Sequence, residues 1–428
     1  MTEPTDECQE CTSARSVSRR RFLQAIGVTG AAVAAPSMFS AQAAFAAGPH
    51  RGPVLVVISL RGGMDGLSLV PPVGDPNYAK LRPSIAVPQR TAIPTDDPRF
   101  GLHPALAPLR PLWDSKRLSF VHAVASADTS RSHFNATAEL ERSAPGTNVH
   151  SGWLDRVLRV NGRNATFEAV ALGTGGRPGH LVGESDVLTM RSLSSFTLAG
   201  PDTLCPAMAK ALRALHSDPK APQTSSAVAT LTALDTVGTI NAQRAKAGAP
   251  ATAYPANSAL GAALADAAAL IRADVGLAAL AVEIGGWDMH IALGNAGEGQ
   301  FAALAGQVAA AIAAFAADLG KDFDRVNVVT MSEFGRRAGQ NGSGGVDHGH
   351  GNAMLLAGGG LVGGKVHGRW PGLAKDDLDQ GDLAATTDYR DVLAEFLVRR
   401  AGLGQNAVSV VFPNYKPRPV GAFRRPTA

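Results

Sequence analysis

The sequence predicts an α/β fold: a mostly parallel central sheet with helices on both faces. Two observations point there. Short apolar, β-branched runs alternate with Ala-rich stretches of helical spacing along most of the chain. Four of the five expected strands run straight into acids, histidines or hydroxyls. In open α/β sheets that edge, outside the carboxyl ends of the strands, is where ligands sit.

The elements follow in order. Val54–Leu60 is a continuous apolar run, as expected of a strand buried on both faces. It ends in the Gly-rich turn Arg61-Gly62-Gly63-Met64-Asp65-Gly66. Leu118–Val124 is the second strand, and Ser132–Arg142 the helix after it, with Ser130 or Ser132 as N-cap. Leu204–His216, Ala227–Ala245 and Asn257–Ala273 have helical spacing and interrupt the strand alternation, so residues 204–275 are expected to form a helical insertion. Leu277–Ile284 is a strand ending in Gly285-Gly286-Trp287-Asp288. Gly299–Leu319 is a long amphipathic helix. Val326–Met331 ends in Ser332-Glu333-Phe334-Gly335-Arg336, Ala353–Ala357 ends in three glycines, and Asp388–Arg400 is the last helix. The expected organisation is one domain over 53–403 with a tail over 404–428.

The chain has 428 residues, 45% of them apolar, 18% charged and 5% aromatic. That is ample for a core without disulfide or metal staples, built chiefly from Ala, Val and Leu. The net charge of +4 is spread without a basic stripe, which argues against nucleic-acid binding. Three cysteines exclude a disulfide scaffold.

The first residues read as an address. Ser18-Arg19-Arg20-Arg21-Phe22-Leu23-Gln24 has the form of a twin-arginine signal. An apolar stretch, Ala25 to Ala35, and two Ala-x-Ala sites ending at Ala43 and Ala46 follow. Residues 1–46 are therefore expected to be cleaved. The alternative, a membrane anchor, needs a longer apolar run to span ~30 Å. Export by the twin-arginine translocon, with the protein already folded, implies a periplasmic or extracellular destination. The mature chain is expected to cross no membrane. Cleavage removes Cys8 and Cys11 and leaves Cys205 alone, read as a buried small hydrophobe.

The chemistry-bearing residues cluster after strands. Asp288 and His290 stand two apart, on one side of an extended segment, as a pair suited to one metal. Asp347, His348 and His350 lie within four residues, interleaved with Gly, a donor set suited to a divalent transition metal. Asp65 and Glu333 end two strands. Each could equally cap a helix. Ser130-Arg131-Ser132-His133 opens a helix, whose free N–H groups favour anions. A serine there could be a nucleophile or only an N-cap, and Arg131 could hold an anion bidentately. Gly359–Lys365 has Walker A spacing, but Val366 replaces the hydroxyl residue, so it reads as a glycine turn.

Six segments in order resemble one exported family, known as domain of unknown function 1501. They are LRGGMDGLSLVPP (60–72), SRSHF (130–134), GGWDMH (285–290), MSEFGRR (331–337), GGVDHGHGNAMLL (344–356) and TTDYRDVLAE (386–395). The layout is also similar, more distantly, to the alkaline phosphatase superfamily of phosphatases, sulfatases and phosphomutases. That resemblance, to a superfamily that uses two divalent metals, implies an alkaline-phosphatase-like sheet with one or two divalent metal ions, zinc, manganese or similar, at the strand ends. It implies Asp65, Asp288, His290, Glu333, Asp347, His348 and His350 as ligands, and Ser132 or Ser130 as nucleophile. In such a hydrolase Arg131 would hold the anion, and His133 or a metal-bound water would assist proton transfer. The superfamily commonly has Asp-His directly after the late strand; here Glu333-Phe334 stands there. Ala127 occupies the place of a sulfatase cysteine, which disfavours that modified residue.

The implied function is metal-dependent hydrolysis of phosphate-type or sulfate-type esters, with a small anionic ester as substrate. The alternative is a scaffold that kept ion ligands, lost the chemistry, and acts as an exported binding or assembly protein. An oxidoreductase is disfavoured by the missing Gly-x-Gly-x-x-Gly fingerprint.

Overall fold

Strand β1 (Val54–Leu60) is buried along its whole length. Its side chains alternate between two cores, as the period of two requires. Val54, Val56, Ile58 and Leu60 enter one, Leu55 and Val57 the other. This computed structural model describes residues 52–425 except 164, 174, 202, 219, 222, 249 and 251. The export-signal reading of residues 1–46 lies outside the described residues.

Eight further strands join β1: β2 (Leu118–Ala125), β3 (Ala169–Leu172), β4 (Leu188–Met190), β5 (Ala279–Ile284), β6 (Val326–Met331), β7 (Asn352–Gly358), β8 (Val366–His367) and β9 (Thr387–Asp388). They form one nine-stranded sheet in the order β8-β2-β7-β6-β1-β5-β3-β4, with β9 also on β2. β1 pairs parallel with β5 and β6. β7 alone runs antiparallel, against β2 and β6. The mostly parallel sheet is thus as expected. The five strands expected from the sequence are present. β3, β4, β8 and β9 were missed because they are two to four residues long, too short for an alternation pattern to register.

Helices cover both faces. α5 (Ala259–Arg272) and α6 (Gln300–Leu319) pack on the first core through Leu260, Leu264, Phe301 and Phe315. α2 (Trp153–Asn161), α7 (Tyr389–Arg399) and α8 (Gln405–Val411) pack on the second through Trp153, Val392, Phe396 and Val408. α1 is His133–Arg142. α6, extended to Arg325, has the length and apolar composition to cross a membrane, but half of it is buried within the protein. Ile312→Val in α6, which is fully buried, is expected to lower stability by about 0.5–1.5 kcal/mol, readable in a urea titration.

Three expectations are corrected. The segment expected as a C-terminal tail packs on the domain over its described residues, 404–425: Val408, Val411, Phe412 and Phe423 belong to the second core. The sequence reading missed this because the last helix has only seven residues. Residues 204–275 are not a single insertion. α3 (Cys205–Leu215) buries no residue and α4 (Thr224–Ala247) buries four, but α5 lies in the main helical layer with ten. Cys205 is half-buried at the start of α3.

Candidate metal centre at the sheet edge

Main-chain bonds lace two loops together at the carboxyl edge of the parallel strands. Gly335 and Arg337 donate to the carbonyls of His350 and Asp347, and Gly349 donates back to Gly335. Arg336 and His348 thereby form an isolated bridge. The approach needs glycine: a Cβ on Gly349 would lie 2.4 Å from the Arg336 carbonyl carbon. Val346 donates to Met289, and Leu293 to Gly344, which ties in the loop after β5. β7 runs against its neighbours, so the loop preceding it reaches the edge where the parallel strands end.

This lacing gathers three donor atoms around His348 Nε2. His348 Nε2 lies 3.1 Å from His133 Nε2, 2.9 Å from His290 Nε2 and 3.2 Å from Asp288 Oδ1. Asp288 Oδ1 lies 3.5 Å from His133 Nε2 and 3.0 Å from His290 Nε2. Ligands around an ion with bonds of ~2.0–2.1 Å stand roughly 3.3 Å apart when tetrahedral. His133, Asp288 and His348 form a group of three potential ligands with their donor atoms within 4.8 Å of one another, and His290 adjoins two of them.

The other ring nitrogen of each histidine is anchored on oxygen. His133 Nδ1 is 2.8 Å from Glu333 Oε1, His348 Nδ1 is 2.9 Å from the Arg131 carbonyl, and His290 Nδ1 is 3.1 Å from Asp347 Oδ1. With Nδ1 donating to those acceptors, each Nε2 would present its lone pair inward. Three lone pairs and a carboxylate oxygen at this spacing repel one another unless a cation or shared protons lie between them. The fit to a divalent ion of the zinc type therefore rests on donor chemistry: three imidazoles and one carboxylate.

The supporting contacts are built in. Glu333 is buried and accepts from the Gly62 amide at 2.8 Å and from Ser332 Oγ at 3.3 Å. Asp347 Oδ1 also accepts from Asn341 Nδ2 at 2.9 Å. The Asn341 bond, followed by the His290 bond, holds the Asp347 carboxyl below its ordinary range. Arg131 has φ +54°, a left-handed backbone that is costly for a non-glycine residue, and its carbonyl faces His348. Phe334 packs on His133 and His348, with ring centroids 4.8 Å from each. Buried Arg336 donates through Nη2 to Asp288 Oδ1 at 2.7 Å. Partial burial pushes the Asp288 carboxyl up. The bond and charge of Arg336, then His348 and His290, outweigh that and bring it to about 2.

The sequence-derived candidates therefore separate. Asp288, His290 and His348 converge, and His133 joins them as a potential ligand rather than a proton-transfer group. Glu333 and Asp347 stand behind histidines instead of pointing at the centre. Asp65 does not join. It is buried, accepts from both terminal nitrogens of Arg82, and accepts from Ser68 Oγ at 2.5 Å. His350 does not join either: its Nε2 is bonded to the Ser126 carbonyl at 3.0 Å. Ser130 Oγ donates to Asp128 at 2.6 Å. Ser132 is the N-cap of α1 without a side-chain capping bond, directly before His133. The Arg131 guanidinium is already paired: Nε and Nη2 donate to buried Asp382 at 3.0 and 2.6 Å.

The sequence reading missed Arg336, Asn341 and Asp382. Arg336 was visible in the MSEFGRR segment, but nothing local marked it as buried. Asp382 lies far along the chain, with no motif around it.

Comparison with known proteins adds the following. Residues 202–408 match the family model described as "Protein of unknown function (DUF1501)", so the first two of the six segments lie outside the match. No curated protein matches the chain. Solved structures similar to it include Ps i-CgsB in complex with k-i-k-neocarrahexaose, at 11% identity and TM-score 0.36, covering 84% of this chain and 74% of that one. A second is the lipoteichoic acid synthase LtaP from Listeria monocytogenes, at 9% and 0.32, covering 72% and 66%. A third is the C-terminal periplasmic domain of EcEptC from Escherichia coli in complex with Zn, at 11% and 0.33, covering 86% and 89%. Likeness at this level says nothing of what this chain binds or does.

Proposed function

We propose that the protein is an exported, metal-dependent hydrolase-like protein acting on phosphate-type or sulfate-type esters, with its ion held by His133, His290, His348 and Asp288. One observation carries the metal part: His348 Nε2 and Asp288 Oδ1 each lie 2.9–3.5 Å from the Nε2 atoms of both His133 and His290, and 3.2 Å from each other, with each Nδ1 placed on oxygen. The ester class and the export rest on the sequence resemblance and the twin-arginine form of residues 18–24. The twin-arginine translocon would be the partner in export.

A bound divalent ion would supply Lewis-acid polarisation of the ester and a water of lowered pKa. The chain's own part is positioning. Glu333, Asp347 and the Arg131 carbonyl hold the three rings in one tautomer, and Arg336 keeps Asp288 ionised and aimed. Ser132 and Ser130 are the candidate nucleophiles; Ser130 Oγ donates to Asp128.

A second reading is favoured by one feature. The Arg131 guanidinium, assigned by resemblance to the substrate anion, is already paired with Asp382. An ion-binding scaffold without turnover fits that arrangement.

The test is the metal content of the purified protein by mass spectrometry, wild type beside Asp288→Ala/His348→Ala, followed by phosphate and sulfate ester screens. A bound ion that the variant lacks supports the metal reading. No bound ion, and no uptake on titration, sinks it. Turnover then separates hydrolase from scaffold. Glu333→Gln is expected to weaken metal affinity by about 10–100-fold, the usual range for a group orienting a ligating histidine, measured by competition with a chromogenic chelator.

A further inference from the structure

We infer that the protein has a second binding site, a polar cleft that takes an uncharged, hydroxyl-rich ligand of the size of a sugar ring or cyclic polyol. The cleft shares no residue with the candidate metal centre, and its use does not depend on a bound ion.

The cleft holds about 340 Å³, within the ~300–1,000 Å³ of ordinary small-molecule sites. It opens at the carboxyl edge of the sheet. Arg61 directly follows β1, Glu283 lies near the end of β5, Glu141 lies on α1, and the Gly-rich segment 173–179 follows β3. α1 relates the cleft to the metal centre. His133 is the first residue of that helix and Glu141 the ninth, about 12 Å further along at ~1.5 Å per residue.

Three charged side chains form one row. Arg61 Nη2 donates to Glu141 Oε1 and to Glu283 Oε1, and Arg61 Nε donates to Glu283 Oε1 at 3.1 Å. His180 Nδ1 stands 3.8 Å from the same oxygen of Glu141. These contacts occupy one oxygen of each carboxylate and two of the three guanidinium nitrogens. Among the described residues, Glu141 Oε2, Glu283 Oε2 and Arg61 Nη1 have no hydrogen-bond partner, and none of the three is buried. The free groups therefore run acceptor, donor, acceptor.

The glycine segment leaves the space open. A Cβ on Gly175 or Gly176 would meet nothing within 4 Å, and neither residue has the left-handed φ that would itself call for glycine. Gly179 sets the place of Glu141, because a Cβ there would overlap Glu141 Oε2. Arg177 also lines the cleft but is committed to its own loop, donating to the carbonyls of Leu181 and Ser185 at 2.6 Å each. Of the described residues, only Pro178 brings an apolar side chain to the wall.

This row selects a ligand class. A hydroxyl both donates and accepts. Two neighbouring hydroxyls can donate to the two carboxylates and accept from the guanidinium between them. A cation would meet that guanidinium, and an anion would meet a carboxylate on each side. An apolar group would strip water from three charged atoms and replace none of its bonds.

The test is isothermal titration calorimetry of the purified full-length protein, with and without zinc. The probes are methyl α-glucoside, methyl α-mannoside, methyl β-galactoside and myo-inositol, with ethanolamine and acetate as charged controls. At least one probe is expected to bind one to one, and at least about tenfold tighter than either control. Glu283→Gln is expected to weaken that binding about tenfold or more, as for loss of a hydrogen bond to a charged group. Gly175→Leu, which fills the cleft, is expected to abolish it. Binding by none of the four probes, equal binding of a control, or an affinity that either folded variant leaves unchanged overturns the inference. Circular dichroism checks both variants; should one not fold, the other decides. The metal content of the same samples is a separate readout. Its absence sinks the metal reading without touching the cleft, and failure of the probes leaves the metal reading intact.

Discussion

Replacing Asp65 by alanine is expected to lower the free energy of unfolding by about 3–5 kcal/mol, the usual loss when one partner of a buried ion pair is removed. Arg82 is fully buried beside Asp65 and has no other carboxylate within ion-pair distance among the described residues. Its further bonds go to the carbonyls of Ala338 and Arg337 and to Ser68 Oγ, which do not neutralise a guanidinium. The double variant Asp65→Leu/Arg82→Met is expected to recover part of the loss, because it removes the unpaired charge but strands those two carbonyls.

The same pair sets a pH dependence. Burial raises the Asp65 carboxyl, but the charge and bonds of Arg82 and the bond from Ser68 outweigh it and hold it below its ordinary range. The unfolded chain therefore binds the proton more readily than the folded one. The stabilisation is complete above the unfolded value near ~4 and is lost as pH falls through the folded value. Urea midpoints measured from pH 7 to pH 3 should fall more steeply for wild type than for Asp65→Ala. Equal slopes would remove the pair from the account of acid stability. An Asp65→Asn protein that folds but loses its ion would return Asp65 to the ligand set.

His348→Ala is expected to weaken metal affinity by at least about 10²-fold, more than loss of an orienting partner, for which ~10–100-fold is usual. His348 is the one imidazole within 3.1 Å of both of the others, and it also faces Asp288. Its removal leaves His133 and His290 without the nitrogen that links them. The ring is partly exposed and lies on a loop, so the fold should survive, and circular dichroism checks that it does. A variant that keeps wild-type affinity would mean that the ion, if bound, sits elsewhere.

The sheet was largely legible in the sequence, for a physical reason. A strand buried on both faces has to be apolar at every position, and Val54–Leu60 and Val326–Met331 announce themselves by composition alone. The long helices were legible because their spacing repeats over many turns. Two-residue edge strands and the final helix carry too few residues for a period to show.

The site was legible as a list of residues but not as an arrangement. Asp288, His290, Glu333, Asp347, His348 and His350 all stand out as polar groups after strands. Nothing local tells His348 from His350, two residues on. The bridge between Arg336 and His348 decides it, by aiming one ring at Asp288 and leaving the other on the Ser126 carbonyl. Asp65 reads like a ligand until Arg82, seventeen residues later, is seen folded onto it.

The sequence by itself determined the α/β class, the carboxyl edge as the polar edge, and the residue types available there, because apolar periodicity and strand-end chemistry are local properties. Only the tertiary structure decided which of those groups face one another, because ion pairing and ring orientation depend on partners up to hundreds of residues away. It turned His133 from an acid–base candidate into a candidate ligand, placed Glu333 and Asp347 behind the rings, and gave Asp65 and Asp288 their arginines.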